Sequence, residues 1–218
     1  MDYDLQKLHT AITGQGYVSL NADPFESVER AMQELALCLG GAMLPGRNGK
    51  IRETLETIDA HEAHRHSLSR FSGAGAQPWH VDGSHLTVPP RYVILGCHRN
   101  AGAGAPPTQL MRVKDAGFPL PESRYETFIV RNGRSSFYST IASTDRPWIR
   151  FDPGCMSSRT AQGRTMLEAL ESLPAQPCLN LEWAVGEILV FDNWAVLHRR
   201  GSASGPGHRA LLRISLKE

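Results

Sequence analysis

The chain has 218 residues, 41% hydrophobic and 21% charged, with a formal net charge of +1 at pH 7, an ordinary balance for a soluble globular protein with enough length to bury a core. Both signs of charge are mixed along it, without the basic stripe that a nucleic-acid binder needs, and no apolar run reaches membrane-spanning length. The opening MDYDLQKLHT is charged and lacks the apolar centre of a signal peptide, while Cys38, Cys97, Cys155 and Cys178 form no C-x-x-C pair and read as buried thiols of a reducing cytoplasm.

In chain order, residues 2–13 read as a short helix and 17–20 as a strand. A second helix is expected to open at Asp23-Pro24-Phe25-Glu26, with Asp23 as cap and Glu26 closing a capping box. Phe25, Val28, Met32, Leu35 and Leu39 follow at helical spacing until Gly40-Gly41 stops it. From about residue 68 the texture changes to short apolar runs separated by Gly and Pro. Strands are expected at 68–71, 92–98, 108–113, 127–131, 136–140, 179–183, 188–191 and 210–216, with one helix carrying Met166, Leu167, Leu170 and Leu173. Residues 45–65 and 140–158 read as irregular cover for a site. The expected fold is α+β: a double-stranded β-helix (jelly roll) core with buttressing helices. It forms a single domain over 1–218, with an entry unit at 1–41 and the jelly-roll core from about 68 to 218.

Three side chains have the chemistry of a metal site. In an extended segment residues i and i+2 point to the same side, so His80 and Asp82 of His80-Val81-Asp82 can reach one ion. The run Gly186-Glu187-Ile188-Leu189-Val190-Phe191-Asp192-Asn193-Trp194 is a β segment with a corner that would deliver His198 beside them. Two imidazoles and one carboxylate form the facial set of non-haem Fe(II) oxygenases, which leaves positions open for a co-substrate and O2. Zinc or manganese fits the same donors almost as well. His61, His64 and His66 lie among charged neighbours and read as solvated; His85, His98 and His208 have no partner at a useful spacing.

Behind His198 a Gly/Ser-rich hairpin loop leads into Arg209-Ala210-Leu211-Leu212-Arg213-Ile214-Ser215-Leu216. Strand alternation puts Ala210, Leu212, Ile214 and Leu216 on a core face and both arginines on the opposite one. A planar guanidinium matches a carboxylate bidentately, so an arginine beside an open metal suits the distal carboxylate of a 2-oxo acid.

The segment Pro78-Trp79-His80-Val81-Asp82-Gly83, the run Phe191-Asp192-Asn193-Trp194 leading to His198, and Arg209-x-x-x-Arg213 together resemble the taurine dioxygenase-like (clavaminate synthase-like) Fe(II)/2-oxoglutarate oxygenases. Gly16-Tyr17-Val18-Ser19-Leu20 with its following helix also resembles that family's entry. The resemblance implies iron on His80, Asp82 and His198, and the distal carboxylate of 2-oxoglutarate on Arg209 and Thr108. Arg213 matches a second arginine that supports the co-substrate or meets an anionic substrate. The span from Asp82 to His198 is short for the family, which implies a trimmed substrate cover.

The implied reaction is hydroxylation of an unactivated C–H bond, using O2 and releasing succinate and CO2. The carboxylate of Asp82 favours hydroxylation, or desaturation or cyclisation, over halogenation. A small polar metabolite, an amino acid or a natural-product intermediate, is the expected substrate. Trp79, Trp194, Arg150 and Arg213 are its candidate contacts. No nucleic-acid or membrane partner is expected, and homo-oligomerisation stays open. Two other classes remain: a cupin-like metal enzyme without 2-oxoglutarate, which leaves Arg209 unexplained, and a non-catalytic or protein-directed binding member of the fold.

Overall fold

The computed structural model describes residues 4–23, 26–46, 49–63, 67–117, 121–173 and 176–218. Helix α1 (Leu5–Gln15) starts where the Asp4 side chain accepts from the Lys7 N–H, and it ends at Gly16, whose φ of 90° only glycine adopts freely. Strand β1 (Tyr17–Asn21) leads to α2 (Val28–Leu39). The expected cap of α2 is displaced: Ser27 is the N-cap, accepting from Arg30 N, and the Glu26 N–H instead closes a turn onto the Asp23 carbonyl. Starting at Ser27 phases the helix so that Val28, Ala31, Met32, Leu35, Ala36 and Leu39 form one buried stripe. Pro24 and Phe25, part of the expected start, lie outside the described residues.

Strands β2 (Ala42–Leu44) and β3 (Arg52–Glu56) follow, then a single helical turn, α3 (Ser69–Ser72). The remaining elements are β4 (Tyr92–Ala101), β5 (Thr108–Arg112), β6 (Phe128–Asn132), β7 (Ser135–Ser139), β8 (Met156–Ser157), α4 (Ala161–Glu171), β9 (Leu179–Leu181), β10 (Glu187–Asp192), β11 (Val196–Arg200) and β12 (His208–Lys217). Two expected segments change here. Residues 68–71 are not a strand; Phe71 is exposed and the segment turns helically before Gly73. The irregular 45–65 stretch contains β3, which forms only because it pairs with β12. Residues 140–158 are largely irregular, with an isolated bridge between Ala142 and Ile149 and the short β8. Cys178 is exposed and Cys38 and Cys155 are half-buried, so only Cys97 is a buried thiol; none of the four is in a disulfide.

The chain is a mixed α/β structure built on antiparallel sheets. The largest has the order β1-β10-β4-β12-β2, with β3 also lying along β12; smaller sheets run β11-β5-β9 and β7-β6-β8. The stripe of α2 packs with Leu8 and Ile12 of α1 against Ile94, Ile188, Val190, Leu212, Ile214 and Leu216, one face of the large sheet. The opposite face, through Val93, Leu95, Leu189, Phe191 and Leu211, packs on Leu110, Val196, Leu181 and Trp183 of the β11-β5-β9 side. A third core joins Met111 and Leu197 to Phe128, Val130, Phe151 and the apolar face of α4. The central strand β12 is therefore buried on both faces. The face assigned to its arginines, read from the sequence as lying away from the core, is an interior between two sheets.

Candidate metal and co-substrate site

The site forms where β11 meets the 77–82 segment. The corner Asn193–Ala195 takes the chain out of β10 and into β11, which belongs to a different sheet. Along β11, Val196, His198 and Arg200 share one face, and the His198 ring lies 5.0 Å from that of Phe191 across the interior. The segment before His80 adds to the free edge of β11. His80 N donates to His198 O (3.0 Å), His198 N donates to His80 O (2.9 Å), and Gln77 N donates to Arg200 O (2.9 Å). This pairing holds the imidazole centroids 4.2 Å apart. Asp82 follows two residues on, and the structure brings one ligand atom each of His80, Asp82 and His198 within 4.8 Å of one another.

The turn after Asp82 is fastened from several directions. Gly83 has φ 68°, and a Cβ there would lie 2.4 Å from Pro90 Cδ, so only glycine fits. The buried Asn193 side chain accepts from Asp82 N (2.9 Å) and donates to Asp82 O (3.0 Å) and Pro90 O (2.9 Å). Arg150, fully buried, donates to the carbonyls of Ser84 (2.6 Å), Leu86 (2.6 Å) and Thr87 (2.7 Å). Trp194 Nε1 donates to Pro89 O at 3.0 Å. Arg150 and Trp194, expected as substrate contacts, both donate to carbonyls of the 82–90 loop in this structure. Trp79 is buried in a core cluster with Arg199 stacked 4.2 Å over its ring.

Protonation suits metal binding. His80 Nδ1 lies 3.0 Å from the Pro78 carbonyl, which can only accept, so Nδ1 carries the proton and Nε2 keeps its lone pair. Burial, reinforced by the His80 and Arg213 charges and opposed by Asp82, pushes His198 down to about 3. Burial alone would raise Asp82, but the Arg213 guanidinium and both imidazoles outweigh it and hold the carboxyl well below the usual carboxylate range. Two imidazoles with a free nitrogen and one buried carboxylate are a fitting donor set for a divalent first-row metal.

The His198 shift has a measurable consequence. The unfolded chain takes up a proton near pH 6.5 that the metal-free fold refuses down to about 3. With more protons bound in the unfolded state, stability falls as pH falls across that window. In a chelator, the folding constant is expected to lose roughly tenfold per pH unit below about 6.5 relative to His198→Gln. Urea titrations of both proteins between pH 7 and pH 5 check this, and parallel pH profiles would contradict it.

The two arginines of β12 have different partners. Arg213 Nη1 donates to Asp82 Oδ1 (2.6 Å), while its Nη2 (2.6 Å) and Nε (3.2 Å) both reach Glu53 Oε2. In this structure its guanidinium is taken up by these two carboxylates. Arg209 is 7% exposed, its Nε is buried without a partner, and its Nη2 makes only a long hydrogen bond to Pro107 O at 3.4 Å among the described residues. Among the described residues no carboxylate pairs with it. Burial and the neighbouring Arg200 pull it down to about 10, so it is still a cation at neutral pH. The Trp183 ring lies under it at 5.8 Å and donates its Nε1–H to Thr108 Oγ1 (2.9 Å), so one indole joins Arg209 and Thr108. Glu53, Asn193, Trp183 and Arg200 were not singled out from the sequence. Only Asn193 carried a local sign, the Asp-Asn corner; the others acquire a role through pairings between distant strands.

The family model of the taurine catabolism dioxygenase TauD, TfdA family matches residues 113–215, a span that includes His198, Arg209 and Arg213. No curated protein is similar enough in sequence to be matched. Solved structures share the fold over almost the whole chain. An asparagine oxygenase in complex with Fe(II), 2S,3S-3-hydroxyasparagine and succinate is 15% identical with a TM-score of 0.70, covering 98% of this chain and 78% of its own. A taurine dioxygenase from Burkholderia xenovorans is 15% identical with a TM-score of 0.69, covering 99% and 82%. The non-haem iron oxygenase OrfP in complex with Fe and alpha-ketoglutaric acid is 16% identical with a TM-score of 0.71, covering 98% and 78%. The family pattern thus lies in the second half of the chain, and the fold shared with these oxygenases runs along almost its whole length.

Proposed function

We propose that this chain is a non-haem Fe(II)- and 2-oxoglutarate-dependent dioxygenase that hydroxylates a C–H bond of a small polar metabolite, an amino acid or natural-product intermediate. Its double-stranded β-helix core and entry unit form one domain over residues 1–218. His80, Asp82 and His198 hold the iron, and Arg209 with Thr108 anchors the distal carboxylate of 2-oxoglutarate. The bound iron supplies the redox chemistry: O2 places one oxygen atom in the substrate C–H bond and the other in succinate, as 2-oxoglutarate loses CO2.

The observation that carries this reading is the charge of Arg209, unmatched among the described residues. A buried cation without a carboxylate is costly to hold, and this one sits four residues along the same strand face from Arg213, which touches Asp82. An elongated diacid can place one end near the Asp82 side and the other against a guanidinium. Thr108 offers its hydroxyl beside the same indole, and the surrounding apolar residues exclude water. Amino-acid substrates are supported by the relatives: one holds 3-hydroxyasparagine, and another, a variant of OrfP, holds (3S)-hydroxy-L-Arg.

The test is anaerobic addition of Fe(II) and 2-oxoglutarate, read by the visible metal-to-ligand charge-transfer band. The wild type is expected to develop the band, and His80→Ala to lose it. With O2 admitted, slow succinate release is expected even without the primary substrate. No band in the wild type would overturn the co-substrate assignment; a band with no succinate would point to a non-catalytic binding protein.

A further inference from the structure

We infer that Glu53 is a positioning residue for the Asp82 ligand, acting through Arg213. This rests on the reading of His80, Asp82 and His198 as metal ligands. Glu53 lies directly opposite Arg213 in the β3–β12 pairing, the position at which cross-strand side chains meet. One edge of the guanidinium, Nε and Nη2, closes on Glu53 Oε2, and the remaining nitrogen, Nη1, reaches Asp82 Oδ1 at 2.6 Å. The guanidinium is rigid and planar, so fixing one edge aims the opposite nitrogen. With Oδ1 held, Asp82 turns Oδ2 toward His198, 3.6 Å from its Nε2.

Charge points the same way. Arg213 alone would nearly cancel the Asp82 carboxylate and blunt its attraction for a dication. Glu53 offsets the guanidinium, leaving the trio with a net negative charge. The Arg213 and Glu53 side chains are only 22% and 19% exposed, so this pair is less screened than a surface ion pair. Glu53 is also held from its other side: a Cβ on Gly46 would lie 2.1 Å from Glu53 Cδ, so the chain there passes directly against the carboxyl. None of this needs Glu53 to touch the metal, and partners of this kind typically set metal affinity within a factor of about 10 to 100.

The experiment is anaerobic calorimetry of Fe(II) binding to the wild type, Glu53→Gln and Glu56→Gln, with thermal melts of the metal-free proteins. Glu56 lies on the same strand and pairs with Arg99 at the surface, so its variant makes the same change of charge away from the site. Glu53→Gln is expected to bind about tenfold more weakly, with Glu56→Gln matching the wild type. In an Arg213→Gln background the Glu53→Gln effect should vanish, because the path runs through the guanidinium. Equal affinity for Glu53→Gln, an equal loss in Glu56→Gln, or an undiminished effect without Arg213 would each overturn the inference. If Arg213→Gln does not fold, the Glu53 and Glu56 variants decide alone. If Glu53→Gln does not fold, Gly46→Ala, which displaces the same carboxyl, replaces it with the same expected loss. A wild type that binds no metal would instead overturn the reading of the site itself.

Discussion

Replacing Arg209 by methionine is expected to weaken 2-oxoglutarate binding by about two to three orders of magnitude while making the metal-free protein more stable. Truncating one partner of a buried charge pair costs about 2–5 kcal/mol of binding, and tenfold in affinity is about 1.4 kcal/mol. The stability gain follows from the environment of the free arginine. Its pKa falls from 12.5 to about 10 through burial and the nearby Arg200 charge, a penalty of about 3 kcal/mol on the charged form. Methionine fills similar space without that penalty, so the melting temperature should rise by about 6–12 °C, at about 2–4 °C per kcal/mol for a chain of this size. Titration of the charge-transfer band and calorimetric melting read the two effects. Lost stability in Arg209→Met, or unchanged 2-oxoglutarate affinity, would show that the arginine is a strut and not an anchor.

Arg150→Met is expected to do the reverse, lowering stability by about 3–5 kcal/mol. Arg150 is as buried as Arg209, and its pKa is likewise pulled down to about 10 by burial. The difference lies in its partners. Three carbonyls accept from it at 2.6–2.7 Å, and its guanidinium stacks on the Phe137 and Trp148 rings at 5.1 and 4.9 Å. Methionine leaves the carbonyls of Ser84, Leu86 and Thr87 buried without donors, at about 1–3 kcal/mol each, partly offset by removing the buried charge. These carbonyls follow Asp82 directly, so metal affinity should fall with them. Urea unfolding measures the loss, and hydrogen exchange across residues 82–87 locates it. A neutral Arg150→Met would return the side chain to consideration as a substrate contact.

The two substitutions separate arginines that look alike in the chain, and the separation shows where sequence reasoning stops. Strand alternation placed Arg209 and Arg213 on one face of the last strand, as found. It also took the face carrying Ala210, Leu212, Ile214 and Leu216 as the whole core, yet Leu211 is equally buried between the sheets. Polarity along one strand reports side-chain chemistry; burial on both sides depends on what covers each face. Arg213 looked free because its partner is 160 residues away on a strand that looked irregular. The segment Arg52-Glu53-Thr54-Leu55-Glu56 is too polar to declare itself, and becomes β3 only against β12. The start of α2 was misplaced for a smaller reason: Asp23 and Ser27 are both competent caps one turn apart, and the buried stripe chooses between them.

By itself, the sequence determined what depends on residue type and local period. The helix stripes, most strands of the second half, the shared side of His80 and Asp82, and the common face of Arg209 and Arg213 all follow from repeats of 3.6 and 2 residues. Only the tertiary structure decided which charges meet. It brought the edge of β11 to His80, placed Asp82 between His198 and Arg213, set Glu53 behind that arginine, and left Arg209 without a carboxylate among the described residues. The reason is physical: side-chain chemistry is a property of each residue, but the environment that makes a buried charge a ligand, a strut or an anchor is assembled from segments more than a hundred residues apart.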